Sequence, residues 1–180
     1  MVIILTAIIA VVVLWFISVQ RKLVVMDENI NNSMSQIGVQ LSSRWDALTA
    51  LLDLTKGYAE HEYKTISDTI KMRTSINAKS TAADVNAQEN ILLDAMGKIM
   101  AVAEGYPELK ANENYQKTMD SVNAYEEMVR KSRLVYNDSV TQLNRAIRMF
   151  PTSVAACLLK IGSRDYLAAD EKKAEMPNLK

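Results

Sequence analysis

The chain opens on an uninterrupted apolar run. Met1 to Val19 holds no charge and no proline, and the run stops at Gln20-Arg21-Lys22. About 18 or more apolar residues are needed for a helix to cross a bilayer core, where every backbone polar group must be satisfied within the segment. Residues 1–22 are therefore expected to form a transmembrane anchor, with Ile3, Leu5 and Val12 facing lipid. Trp15 and Phe16 stand near its C-terminal end, where an interfacial aromatic rests, and Arg21 and Lys22 close it. A secretory signal would carry a basic start and a small-residue cleavage site, and this run has neither. The basic residues lie on the C-terminal side, which predicts an outer N-terminus and a cytoplasmic domain.

From Ile30 the pattern changes to steps of three and four. Ile30, Met34, Ile37, Leu41, Trp45, Leu48, Leu52, Thr55, Ala59, Glu62, Ile66 and Ile70 form one helical stripe with near-heptad spacing. The spacing predicts a first helix from Glu28 to about Asn77, ~75 Å long at the α-helical rise. Gly38 and Gly57 fall inside it, and Gly57 is the expected bend. Thr81-Ala-Ala-Asp84 resembles a capping box and predicts a second helix over Ala82 to Glu104, stopped by Gly105-Tyr106-Pro107. Asn112 or Asn114 is the expected N-cap of a third helix. Its stripe runs from Tyr115 through Val122, Val129, Tyr136 and Leu143 to Phe150, and Pro151 ends it. A short apolar piece, Val154 to Leu159, follows. The fold class expected is all-α: the anchor continues into an elongated antiparallel bundle of three long helices plus a short C-terminal helix over 23–160. A tail over 161–180 is expected to be partly disordered.

Composition narrows function without naming it. Five glycines and three prolines leave little room for the turns of a sheet protein. Lys+Arg and Asp+Glu stand at 21 each, so no global field draws nucleic acid or anionic lipid. The single cysteine, Cys157, excludes an internal disulfide framework. A second helix of ~35 Å cannot cover the membrane-proximal half of the first. The stripe Ile30, Met34, Ile37, Leu41 and Trp45 then lacks an evident partner, making it a candidate oligomer interface. The alternative is a C-terminal segment folded back over it.

Ser35-Gln36-Ile37-Gly38-Val39-Gln40-Leu41, Arg44-Trp45-Asp46 and Lys56-Gly57-Tyr58-Ala59-Glu60-His61-Glu62 resemble the first-helix signature of the LemA family. Tyr106 to Asn112, Tyr136-Asn137-Asp138 and Phe150-Pro151 continue the resemblance in order. It implies a bacterial membrane protein with a short outer N-terminus and an elongated helical bundle, and it implies no enzymatic activity. The chain departs from the family pattern at Gly38, where an acid is common, at Ser42-Ser43, and at Thr49-Ala50, where a Pro-Asn pair is usual. Tyr166-Leu167 matches an aromatic-rich tail only in part.

Catalytic constellations are not evident. The only histidine, His61, has Thr65 where a zincin helix would place its second ligand. Cys157 stands in an apolar context and is expected to act as a small hydrophobe. No cofactor or metal is expected. Two functions remain: a membrane-anchored scaffold that self-associates, and an adaptor that regulates a neighbouring membrane enzyme such as a protease. Both need the bilayer, and either another copy or another membrane protein; neither needs nucleic acid.

Overall fold

A computed structural model describes residues 1–167 and is helical throughout its regular structure. Six helices follow in order: α1 Val2–Thr55, α2 Glu60–Ile70, α3 Ala82–Gly105, α4 Pro107–Ala111, α5 Glu113–Ala146 and α6 Thr152–Leu158. The apolar run and the amphipathic stripe are thus one continuous helix. Along its first part, residues 1–14 are exposed, with no partner in the chain; from Leu23 onward a stripe faces inward.

α5 lies antiparallel along α1, and this pairing forms the spine of the bundle. At ~51 Å for its length, α5 reaches back to where α1 leaves the apolar run. That overturns the candidate oligomer interface. Ile30, Met34, Ile37, Leu41 and Trp45 are each at most 2% exposed, inside the chain's own core. The argument from the second helix's length overlooked the reach of the third. The alternative also holds in part, since residues 156–167 cover the top of the same seam.

The core divides into two clusters. A proximal one packs Leu23, Ile30, Ile37 and Leu41 against Val129, Tyr136 and Leu143. A distal one packs Trp45, Leu48 and Leu52 against Ile66, Leu92, Ile99 and Tyr115. At the junction, between Leu41 and Trp45, the buried Arg44 donates to Glu126 of α5 at 2.9 Å. Arg133 pairs with Glu89 of α3. Glu126 and Arg133, each in step with the apolar positions of α5, are therefore charge partners across helix pairs.

The predicted 50-residue first helix is broken twice. α1 ends at Thr55, whose carbonyl receives the Tyr58 and Ala59 amides at 2.9 and 3.1 Å. The chain turns at Gly57, the expected bend, and α2 leaves in a new direction to set Ile66 on the distal cluster. Beyond Ile70 the chain leaves the helix and crosses α1 as a strap. Its backbone groups are satisfied by side chains: Thr74 N–H donates to Gln88 at 2.9 Å and Asn77 N–H to Ser80 at 3.0 Å. Such local competition is why Ser and Asn runs leave helices. Arg73 ties the strap to Asp46 and Ser42, each at 2.6 Å. The Ile76 carbonyl rests against Gly38, 2.1 Å from where a Cβ would stand. The missing side chain at Gly38 is what lets the strap pass.

Two caps follow the sequence reading closely. Thr81 and Asp84 form a reciprocal capping box, and Asn112 accepts from the Asn114 and Tyr115 amides at 2.9 and 3.3 Å. α5 ends four residues before the expected Phe150. α6 then closes in a Schellman motif: Lys160 is left-handed at φ 56°, and Ile161 N–H donates to Ala156 at 3.0 Å. That reversal sends residues 161–167 back along the bundle, so the expected tail boundary at 161 falls inside the fold. Asn144 exchanges two 2.9 Å bonds with Arg164, and Asn137 two more with Leu167. Seven helical residues and three extended ones both span about 10 Å, so the two asparagines match the strand they hold. The expected disorder after Ala168 lies outside the described residues.

Candidate functional site

At the distal end, far from the apolar run, the bundle opens. α1 stops, α2 turns away, and the loop between α3 and α4 closes over the gap. Pro107 at the first position of α4 fixes its start, and Asn112 stops it and caps α5, so Leu109 is pinned in the distal cluster. The Tyr58 and Tyr106 rings meet at 5.9 Å with 57° between planes. The two sequence segments Lys56–Glu62 and Tyr106–Asn112 are thereby brought together.

Between α2 and α3 lies a cleft of about 400 Å³. Ala59, Ile66 and Val102 form its buried floor, and Ala101, Gly105 and Tyr106 its wall. His61, Glu62 and Lys98 stand around it. Lys98 is held by Asp94 at 2.7 Å. Nearby, Lys56 lies over the Tyr63 ring at 5.5 Å, and Tyr63 donates to Asp53 at 3.1 Å. Donating to the Asp53 carboxylate holds the proton on the Tyr63 hydroxyl and raises its pKa above the ordinary value. Of the charged side chains that line the cleft, Glu62 and Lys98 have opposite sign, so its character is set by the apolar floor. An apolar floor of this kind suits an apolar side chain.

The structure separates the two residues considered for nucleophilic chemistry. His61 borders this distal cleft, and Cys157 sits on α6 beside the proximal cluster. Cys157 is exposed, not packed as a small hydrophobe. Among the described residues, no group of three or more His, Cys, Asp and Glu side chains is placed to hold a metal ion.

The same two distal segments, the Arg44-Trp45-Asp46 pivot and the Asn137 clamp are the places where the sequence resembles one family. The LemA family model matches residues 33–180. The chain belongs to the LemA family. The match starts within α1 and leaves out the apolar run, which rests on its own composition. No curated protein matches the chain. Within the LemA family match, each motif has a structural task. Tyr136 donates to the Asp165 carbonyl at 3.1 Å beside the Asn137 clamp, while Tyr58 and Tyr106 shape the cleft. The sequence pointed to these segments without showing that two of them meet. The clamp of Asn137 and Asn144 was also missed; their seven-residue spacing on one face was the available signal.

Ile3, Leu5 and Val12 are exposed, and Trp15 and Phe16 are half-buried on the inward face, while Arg21 and Lys22 are exposed beyond them. α1 is, among the described residues, the one helix long and apolar enough to cross a membrane.

Proposed function

We propose that the chain is a single-pass membrane protein, anchored by residues 1–22, that holds a partner-binding cleft away from a bacterial inner membrane. The observation that carries this reading is the division within α1. Among the described residues, the same helix is exposed over residues 1–14 and carries a buried stripe from Leu23 to Thr55. Thirty-odd residues at 1.5 Å put the cleft ~50 Å beyond Lys22. Arg21 and Lys22 favour a cytoplasmic bundle with the N-terminus outside. The occupant suited to the cleft is an apolar side chain on a neighbouring membrane protein. This is an interaction role and not an enzymatic one; the cleft's chemistry is suited to docking.

Self-association at the membrane is the second reading. Its original surface, Ile30 to Trp45, is occupied inside the fold, so copies would meet through the span or the exposed helix faces. One experiment separates the two. A photo-crosslinking residue at Ala101, on the cleft wall, is expected to join the chain to a different membrane protein. An adduct of twice the chain's mass would favour the scaffold, and no adduct would count against both. Orientation is checked by Lys117→Cys in a Cys157→Ser background: an impermeant maleimide should reach it only after spheroplasts are opened.

A further inference from the structure

The membrane-proximal end of the bundle carries a second apolar surface that belongs to neither the core nor the cleft. From Met149 to Leu159 the chain is free of charge. Within α6, Thr152, Ala155, Ala156 and Leu159 face inward, and Ala156 packs with Leu23 and Val19. Val154, Cys157 and Leu158, spaced three and four apart, share the outward face and are exposed. Just before them, Met149 and Phe150 project from the α5–α6 turn, and Phe150 is 84% exposed. A helix apolar on both faces does not suit water.

Its height is set by the antiparallel register. Arg44 faces Glu126, and Asp27 and Asn144 both hold Arg164. Following α1 and α5 back at the helical rise places Phe150 beside about residue 20. That is where the apolar run ends. The run from Val2 to Gln20 is ~29 Å, close to the hydrocarbon thickness of a bilayer. α6 and the turn before it are then at the boundary between acyl chains and headgroups.

The charges agree. Residues 1–26 and 139–164 contain no Asp or Glu and hold Arg21, Lys22, Arg145, Arg148, Lys160 and Arg164. Asp27 and Glu28 stand beside Lys160 and Arg164, and Asp27 pairs with Arg164. Arg21, Lys22, Arg145 and Arg148 are exposed on the two segments and leave this end with an excess of cations. The net balance of the whole chain conceals this separation. Cations near a bilayer attract anionic headgroups, and apolar side chains beside them enter the interface.

We propose that Met149, Phe150 and the outer face of α6 insert into the interfacial layer of an anionic bilayer, forming a second membrane contact next to the anchor. This rests on the anchored reading above. The contact holds the bundle at a fixed height and rotation, which a single spanning helix leaves free.

Cys157, on the inserted face, is a built-in reporter. The full chain is spin-labelled there and reconstituted in vesicles of phosphatidylethanolamine and phosphatidylglycerol. Collisions with oxygen are compared with those of a water-soluble nickel chelate. In a Cys157→Ser background, Ile8→Cys reports the span and Lys117→Cys the distal end. The Cys157 label is expected to favour oxygen severalfold over the Lys117→Cys label, approaching Ile8→Cys. Phe150→Asp with Leu158→Asp should return it to water, with the helical circular dichroism unchanged because both side chains are exposed. A label at Cys157 that sees water while Ile8→Cys sees lipid would overturn the contact and leave the anchor standing. A water-exposed Ile8→Cys would overturn both. Shielding from both reagents, with dipolar broadening lost on dilution by unlabelled chain, would assign the surface to a second copy and overturn the lipid contact.

Discussion

The two ends of the bundle solve different problems with the same helices. The proximal end is closed by contacts between remote parts of the chain. Arg164 reaches Asp27 across 137 residues, and two asparagines clamp the returning segment. The distal end is built from neighbours: α2, α4 and the turns around Gly57 and Pro107 are short and local. One end exposes the apolar side chains of Phe150, Val154 and Leu158, and the other opens into a cleft with a buried apolar floor. Closure by remote contacts makes a firm base, whereas short elements can adjust around an occupant.

The comparison is broken most severely at the junction. Trp45 is buried where the distal cluster begins, one turn from Leu41 of the proximal cluster. Trp45→Ala is expected to cost about 3–5 kcal/mol in urea unfolding, the range for emptying a large aromatic site. Hydrogen exchange should accelerate at both ends, since the two clusters share this wall. Acceleration confined to the distal end would make the ends independent units. A near-neutral result would return Trp45 to the surface role that its stripe first suggested.

That stripe shows what the sequence could and could not convey. Helical class and the Thr81 and Asn112 caps are local properties, written in adjacent residues, and each is found where expected; the helix expected to run on through Gly57 instead ends at Thr55. The course of 71–81 was missed because the apolar steps of three and four were extended to Ile70, and the chain was taken to stay helical to Asn77. A tertiary hydrogen bond from the Thr74 amide to Gln88 and a local one from the Asn77 amide to Ser80 replace helical bonds there. The covering of Ile30 to Trp45 is a matter of which remote segment reaches it, and no spacing encodes that. For the cleft, both contributing segments were visible as motifs. Their meeting depends on α2 and the α3–α4 turn arriving together, which only the fold supplies.

Two glycines sharpen the contrast between firm and adaptable ends. At Gly38 a methyl would meet the Ile76 carbonyl, which is backbone and cannot swing aside. Gly38→Ala is expected to cost about 1–3 kcal/mol, the usual penalty of overpacking, and to expose the strap to proteolysis around Ser75. At Gly57 nothing lies within 4 Å of the added carbon. Gly57→Ala should be neutral or stabilising by up to about 1 kcal/mol through the unfolded chain. Denaturant midpoints of the two variants measure this directly. Equal shifts would mean that the strap is no tighter than the distal turn.

The smallest effect is expected where α3 begins, beside Val85 of the proximal cluster. The Thr81 amide donates to Asp84 at 2.8 Å, and the Thr81 hydroxyl accepts from the Asp84 amide at 3.2 Å. Thr81→Ala removes the cap and should cost about 1 kcal/mol. The Asp84 carboxyl is held below its ordinary pKa, first by the Thr81 amide and then by the Thr81 hydroxyl. A carboxylate with a depressed native pKa stabilises the fold above its unfolded pKa, and loses that contribution as pH falls through the native value. The cost of Asp84→Ala should therefore be complete at neutral pH and shrink in acid, below the ordinary carboxylate range. Amide exchange at Asp84 and Val85, followed against pH in both proteins, reads this locally. A pH-independent difference would mean that the hydroxyl half of the box, which needs no carboxylate charge, holds the start of α3 by itself. Because the cap is exposed and the clusters are not, its loss should fray α3 without opening either end.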